Sequence, residues 1–221
     1  MELDILQKVA QELNSEIVGS VISKIFQPLP RELGLKIFLP GKGERRLMLS
    51  ADPKLGRIHL TKLRMPNPPR PPRFCAFLRA HLTNARIVKI SCATGDRVVT
   101  ISCELRSVRP YCTRNLILEL LGRDSNILIV DAEQNLIMDC LHRIPDKGTL
   151  NRIVTPGIPY MPPLPNPNKF SSSSKNDIET KVISGIGSSN HRRISEDVRE
   201  EPKFSSSLLD INDQVDHFFT D

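Results

Sequence analysis

The stretch from Ala85 to Ile144 constrains the fold most, because it is one short apolar or alternating run after another, each closed by turn residues. Residues 87–92 and 98–105 read as strands joined by Ala93-Thr94-Gly95-Asp96-Arg97. Residues 115–121, 127–130 and 136–141 follow, the last two separated by the turn 131–135. Upstream, residues 21–26, 33–39, 46–50 and 57–61 read the same way, with Pro28-Leu29-Pro30 as a break and Gly41-Lys42-Gly43 as a hairpin turn. Only two segments carry helical spacing. Leu3, Leu6, Val9, Ala10, Leu13 and Ile17 predict a helix over about 3–16, ended by Gly19. Phe74, Phe77, Leu78 and Leu82 predict a second over 73–82, with Arg79 and His81 pointing away from its apolar face. Five prolines within 66–72 make the approach to that helix an extended loop. Many short strands with two helices and no βαβ alternation predict an α+β domain built on a β-sandwich or barrel, and disfavour a doubly wound nucleotide fold.

The domain is expected to occupy 1–165, and beyond Pro165 the composition changes. Residues 166–221 hold 11 serines, and apolar residues are sparse until Leu208. Too little apolar surface is present there to offset ordering entropy, so 166–204 reads as a flexible linker. Leu208, Leu209, Ile211, Val215, Phe218 and Phe219 then predict an amphipathic helix over 205–221.

Charge narrows the function classes. Residues 31–114 carry 18 Lys and Arg against 5 Asp and Glu, within a chain whose net charge is +6. Such a local field attracts polyanions, and nucleic acid is the natural partner, since phosphate neutralisation supplies most non-specific affinity. No run approaches the ~18 apolar residues of a membrane span. The acidic start Met1-Glu2-Leu3-Asp4 lacks the basic and apolar regions of a secretory signal, which reads as a cytoplasmic protein. The five cysteines, Cys75, Cys92, Cys103, Cys112 and Cys140, form no C-x-x-C pair and read as reduced thiols. Phosphate-cradling and metalloprotease motifs are absent, the five histidines are scattered, and neither Ser50 nor Ser125 has a nucleophile elbow. No catalytic residue, metal or cofactor is therefore expected.

Two turns stand out. Gly95-Asp96-Arg97 is either an ordinary tight turn or a device that aims an Arg at phosphate or guanine, with Asp orienting it. Gly122-Arg123-Asp124-Ser125-Asn126 is either structural or part of a backbone-reading surface. Charge and position add Arg57 and Arg79 as weaker candidates.

Five strings occur in order: LSADPKLGRIHLT (49–61), NPPRPPRFCAFLRAHL (67–82), GDRVVTI (95–101), ELLGRDSNILIVDAEQNLIMDCLHRI (119–144) and PGIPYMPPLP (156–165). Together they resemble the NFACT-N domain of the fibronectin-binding protein A-like / RqcH ribosome quality control family, over about 3–165. The terminal SLLDINDQVDHFF (207–219) resembles the helix before that family's coiled coil. The resemblance implies a fold like the N-terminal half of formamidopyrimidine-DNA glycosylases. It implies binding to large ribosomal subunits obstructed by peptidyl-tRNA and recruitment of tRNA, alanine tRNA in bacteria, for C-terminal tailing. The ribosome makes the peptide bond, so the module itself is not an enzyme. The family's acidic residue in the first helix falls on Asp4 and its Asp-Arg pair on Asp96 and Arg97. Departures are plain. No proline stands near Met1 to act as a glycosylase nucleophile, Asp52 and Asp124 occupy positions where the family often has His, and a Ser-rich stretch stands where a helix-hairpin-helix module is usual. The family's name also suggests a fibronectin-binding adhesin, which the missing signal segment and free cysteines argue against.

Overall fold

In a computed structural model, residues 1–105, 112–145 and 152–163 are described. The chain divides into Met1–Pro167 and Asn168–Asp221, and every described residue lies in the first unit. The expected linker and terminal helix lie outside the described residues.

Helix α1 (Leu3–Ile17) forms because Leu6, Ala10, Leu13 and Ile17 recur on one buried stripe, and Asp4 in its first turn complements the helix dipole. Gly19 then takes φ +91, a conformation costly for other residues, and its N–H donates to Ile87 O at 2.8 Å. The chain continues as β1 (Val21–Leu29), β2 (Glu32–Leu39), β3 (Gly43–Ser50) and β4 (Arg57–Thr61), each antiparallel to the one before. Helix α2 (Arg73–Leu82) follows, then β5 (Arg86–Cys92), β6 (Val98–Leu105), β7 (Cys112–Glu119), β8 (Asn126–Asp131) and β9 (Ile137–Cys140). β5 to β9 form a second antiparallel meander.

The α+β class holds, and where a β-sandwich or barrel was expected the described strands form one antiparallel sheet. All nine strands lie in one sheet, ordered β4-β3-β2-β1-β5-β6-β7-β8-β9. The two meanders join at a short β1–β5 seam, where one residue pair, Val21 and Arg86, is in register and flanking loops add backbone bonds such as Ile22 N to Ala85 O (2.9 Å). The sheet curls so far that both meanders share one apolar core. Leu33, Leu35, Leu47, Leu49 and Ile58 from the first pack in the same cluster as Ile87, Ile101, Leu116, Leu118, Ile127 and Ile129 from the second. The predicted break at Pro28 is also replaced: β1 runs on to Leu29, and the proline sits at a register irregularity between Phe26 and Leu29, where its missing N–H costs no ladder bond.

The outer faces of the two meanders differ. On the second, Val98, Ile117, Leu128, Val130 and Ile137 form a separate apolar cluster covered by Val154 and flanked by Tyr160. This is why Ile127-Leu128-Ile129-Val130 is buried on both faces. On the first, the register aligns Lys24, Lys36, Arg46 and Thr61 in one cross-strand row and Phe26, Gly34, Met48 and His59 in the next.

Candidate nucleic-acid interface

The β5–β6 turn is closed by Ala93 N donating to Val98 O (2.8 Å) and by Gly95 at φ +88. Asp96 Oδ1 accepts from the Arg97 N–H at 2.7 Å, and Arg97 O accepts from Leu120 N at 2.9 Å, which pins this turn to the end of β7. Arg97 is half-buried, and its Nε is buried with no hydrogen-bond partner. Such a donor is costly to leave unmade.

Behind the turn lies a buried ion pair. Glu119, fully inaccessible, accepts from Arg152 Nη1 at 2.9 Å and from Tyr160 Oη at 2.9 Å, with a second Arg152 contact completing a fork. The Arg152 guanidinium also stacks 5.5 Å from the Tyr160 ring centroid. Burial, and then Glu119, push the Tyr160 hydroxyl well above the ordinary range. The Asp96 charge acts in the same direction on Tyr160 and on Arg152. The strap 152–160 therefore braces the β5–β6 turn from behind. The sequence reading missed Glu119, Arg152 and Tyr160. A carboxylate inside the apolar run 116–121 was the available signal, because a buried charge requires a partner.

Arg57 and Arg123 occupy turns at this same end of the sheet. Arg57 opens β4, where its guanidinium donates to Glu32 Oε1 (2.7 Å) and Leu55 O (2.9 Å). Its β3–β4 turn abuts the end of β7 so closely that a Cβ on Gly56 would lie 2.9 Å from Leu120 Cδ2. Asp52 caps that turn, accepting from Lys54 N and Leu55 N, and these bonds hold its carboxyl below the ordinary range. Arg123 is exposed on the short 3-10 turn Gly122–Asp124. Asp4, on the exposed side of α1, is carried the same way. α1 runs antiparallel to β5, with Gly19 at Ile87 and Asn14 Oδ1 accepting from Ile90 N at 2.9 Å. From Asn14 back to Asp4 the helix rises about 15 Å, the length of four to five strand residues, which directs Asp4 towards the Asp96 turn.

Arg79 is placed elsewhere. Instead of pointing away from the apolar face, it is half-buried and donates from Nε to Ile25 O at 2.8 Å. His81 packs 4.1 Å from the Phe77 ring and meets Arg114, whose Nη1 donates to His81 O at 2.6 Å. Both side chains tie α2 to the sheet. The five cysteines are free thiols, and burial pushes Cys103 up to about 12 and Cys140 up to about 11. Among the described residues, no three His, Cys, Asp or Glu side chains gather as metal ligands, and no helix is long and apolar enough to cross a membrane.

Residues 4–200 match the family described as NFACT N-terminal and middle domains. The chain belongs to the NFACT family. Among curated NFACT relatives, the "Rqc2 homolog RqcH" of Bacillus subtilis is 36% identical over 172 residues, covering 77% of this chain and 30% of that protein. The chain thus spans less than a third of the length of the curated relatives it matches. The N-terminal domain of fibronectin-binding protein PavA from Streptococcus pneumoniae shares the NFACT fold at a TM-score of 0.71 and 32% identity, covering 81% of this chain and 68% of that one. The N-terminal part of the fibronectin/fibrinogen-binding protein from Streptococcus suis gives 0.68 and 29%, covering 72% and 59%.

Proposed function

We propose that this chain is the RNA-binding module of a ribosome quality control factor. In this reading it binds large ribosomal subunits obstructed by peptidyl-tRNA and recruits tRNA, alanine tRNA in bacteria, for C-terminal tailing. The relatives named Rqc2 homologues support the setting. The observation that carries the reading is the half-buried Arg97, next to Asp96 on a turn whose neighbouring strand end is fixed by the Glu119–Arg152 pair. Arg57 and Arg123 at the same end, and Asp4 on the approaching helix, extend that surface, and Arg79 is a more distant contributor. The chain acts by binding, with peptide-bond formation left to the ribosome, and it works in the cytoplasm.

The test is recovery of ribosomal subunits and tRNA from a lysate by the wild-type chain and by Asp96→Ala/Arg97→Ala. Enrichment of tRNA or large subunits that disappears in the double variant is the expected result. Enrichment that survives it moves recognition elsewhere on the basic face, and no enrichment from the wild type overturns autonomous binding. A second reading rests on the printed titles of the solved relatives, which name fibronectin binding. Direct binding of the purified chain to immobilised fibronectin, unaffected by the double substitution, would favour it.

A further inference from the structure

The outer face of the first meander holds an arrangement that the Asp96 turn does not use. Lys24, Lys36 and Arg46 stand directly opposite one another on three adjacent strands. Like charges opposed across a sheet are destabilising, so a row of three needs neutralisation. Among the described residues that line this face, one carboxylate is at hand. Glu44 lies 2.6 Å from Lys36 Nζ and 3.7 Å from Arg46, and Lys36 beside it holds its carboxyl below the ordinary range. Arg46 is further fixed by donating to the carbonyls of Lys62 and Leu63, both at 3.2 Å. Among the described residues, Lys24 and Arg64 have no ion-pair partner.

These side chains line a groove of about 350 Å³ together with Phe26, Met65 and Asn67. Its floor depends on Gly34: a Cβ there would lie 2.2 Å from the Phe26 ring, so the missing side chain lets that ring lie flat across β2. The geometry points to a second RNA contact, in which this groove takes consecutive phosphates of an RNA strand on Lys24, Lys36, Arg46 and Arg64. The site rests on the reading of the chain as an RNA-binding module and lies outside its Asp96 turn. Three strands at 4.7–4.9 Å spacing spread the cations over about 10 Å, a length along which a nucleic-acid strand presents several charges. A concave wall of cations with one buried aromatic suits a nucleic-acid backbone.

The test uses the full 221-residue chain and unfractionated deacylated tRNA, with affinity measured across a salt series. Three variants are compared with wild type: Lys24→Gln/Lys36→Gln, Glu44→Gln, and Asp96→Ala/Arg97→Ala. Loss of two phosphate contacts should flatten the salt slope by about 1.4 and weaken binding about tenfold in low salt. Glu44→Gln removes the internal anion and should tighten binding about two- to fivefold, a gain no folding defect can mimic. If the lysine variant and Glu44→Gln both match wild type while Asp96→Ala/Arg97→Ala weakens, the groove is overturned and the RNA-binding reading stands. If wild type binds no tRNA, the broader reading fails, and the groove with it. If the lysine variant loses binding to anionic phospholipid vesicles but not to tRNA, the groove is overturned as an RNA site.

Discussion

The two meanders of this NFACT domain differ in the charge their open rows carry. In β5–β9 the buried carboxylates Glu119 and Asp139 neutralise cations that reach them from the strap and from α2, as buried Glu32 does for Arg57 in β1–β4. Arg152 is forked on buried Glu119, and Arg73 lies 2.5 Å from Asp139, itself nearly inaccessible. In β1–β4 the cross-strand row of Lys24, Lys36 and Arg46 shares one exposed carboxylate, and the neighbouring face stays open. The difference follows from what covers each face. The strap 152–160 covers the second meander's outer face, and charge beneath it must be paired to be buried. The contrast separates residues whose loss costs folding from residues whose loss costs binding.

The sharpest way to break that contrast is Glu119→Ala. It strands Arg152 and the Tyr160 hydroxyl in a buried site, and should cost about 3–5 kcal/mol in urea denaturation. A loss under about 1 kcal/mol would mean that the strap contributes little and that the two faces are alike. Gly34→Ala probes the open meander next. The added methyl must displace the Phe26 ring, with an expected cost of about 1–3 kcal/mol and a weakened groove. Unchanged stability together with unchanged tRNA affinity would show that the ring is not held there.

The next effect is a pH dependence. Burial, first among the causes, lowers the affinity of His59, His81 and His142 for protons below its ordinary value. Below about pH 6.5 the unfolded chain therefore binds more protons than the folded one. Stability should be full above that pH and fall as the pH drops through it, seen as a lower melting midpoint at pH 5 than at 7.5. His59→Gln and His142→Gln, made separately, apportion the slope between the meanders. A flat profile would refute the assignment. The smallest effect is expected of Lys24→Gln/Lys36→Gln, with stability within about 0.5 kcal/mol of wild type despite impaired RNA binding. A large stability loss there would place those lysines with the paired charges of the other meander.

What could be read from the sequence was local. Strands 57–61 and 98–105 were placed to the residue, because alternation marks a strand with one face in the core. Both helices were legible from their apolar stripes. The single sheet was not, because the β1–β5 seam pairs Val21 with Arg86, and neither residue advertises the other. The same reason hides the row of Lys24, Lys36 and Arg46, which exists only once register is known, and the pairing of Glu119 with Arg152. Among the candidate residues, Arg57, Asp96, Arg97 and Arg123 stand on turns at one end of the sheet because turns signal themselves through Gly, Asp and Asn. Arg79 shows the limit: helical periodicity assigned it to the solvent side, but its length lets it reach back to a carbonyl of β1.

Each meander is contiguous in sequence, and the loop between β4 and α2, with its five prolines, is the stretch of chain that bridges them. A protease cut in that loop would sever one covalent link and no ladder bond. The products, one of α1 with β1–β4 and one of α2 with β5–β9, should stay associated through the shared core and co-elute until denatured. A domain divisible in this way can be reassembled from two separately expressed pieces, so that each face can be labelled or altered without touching the other.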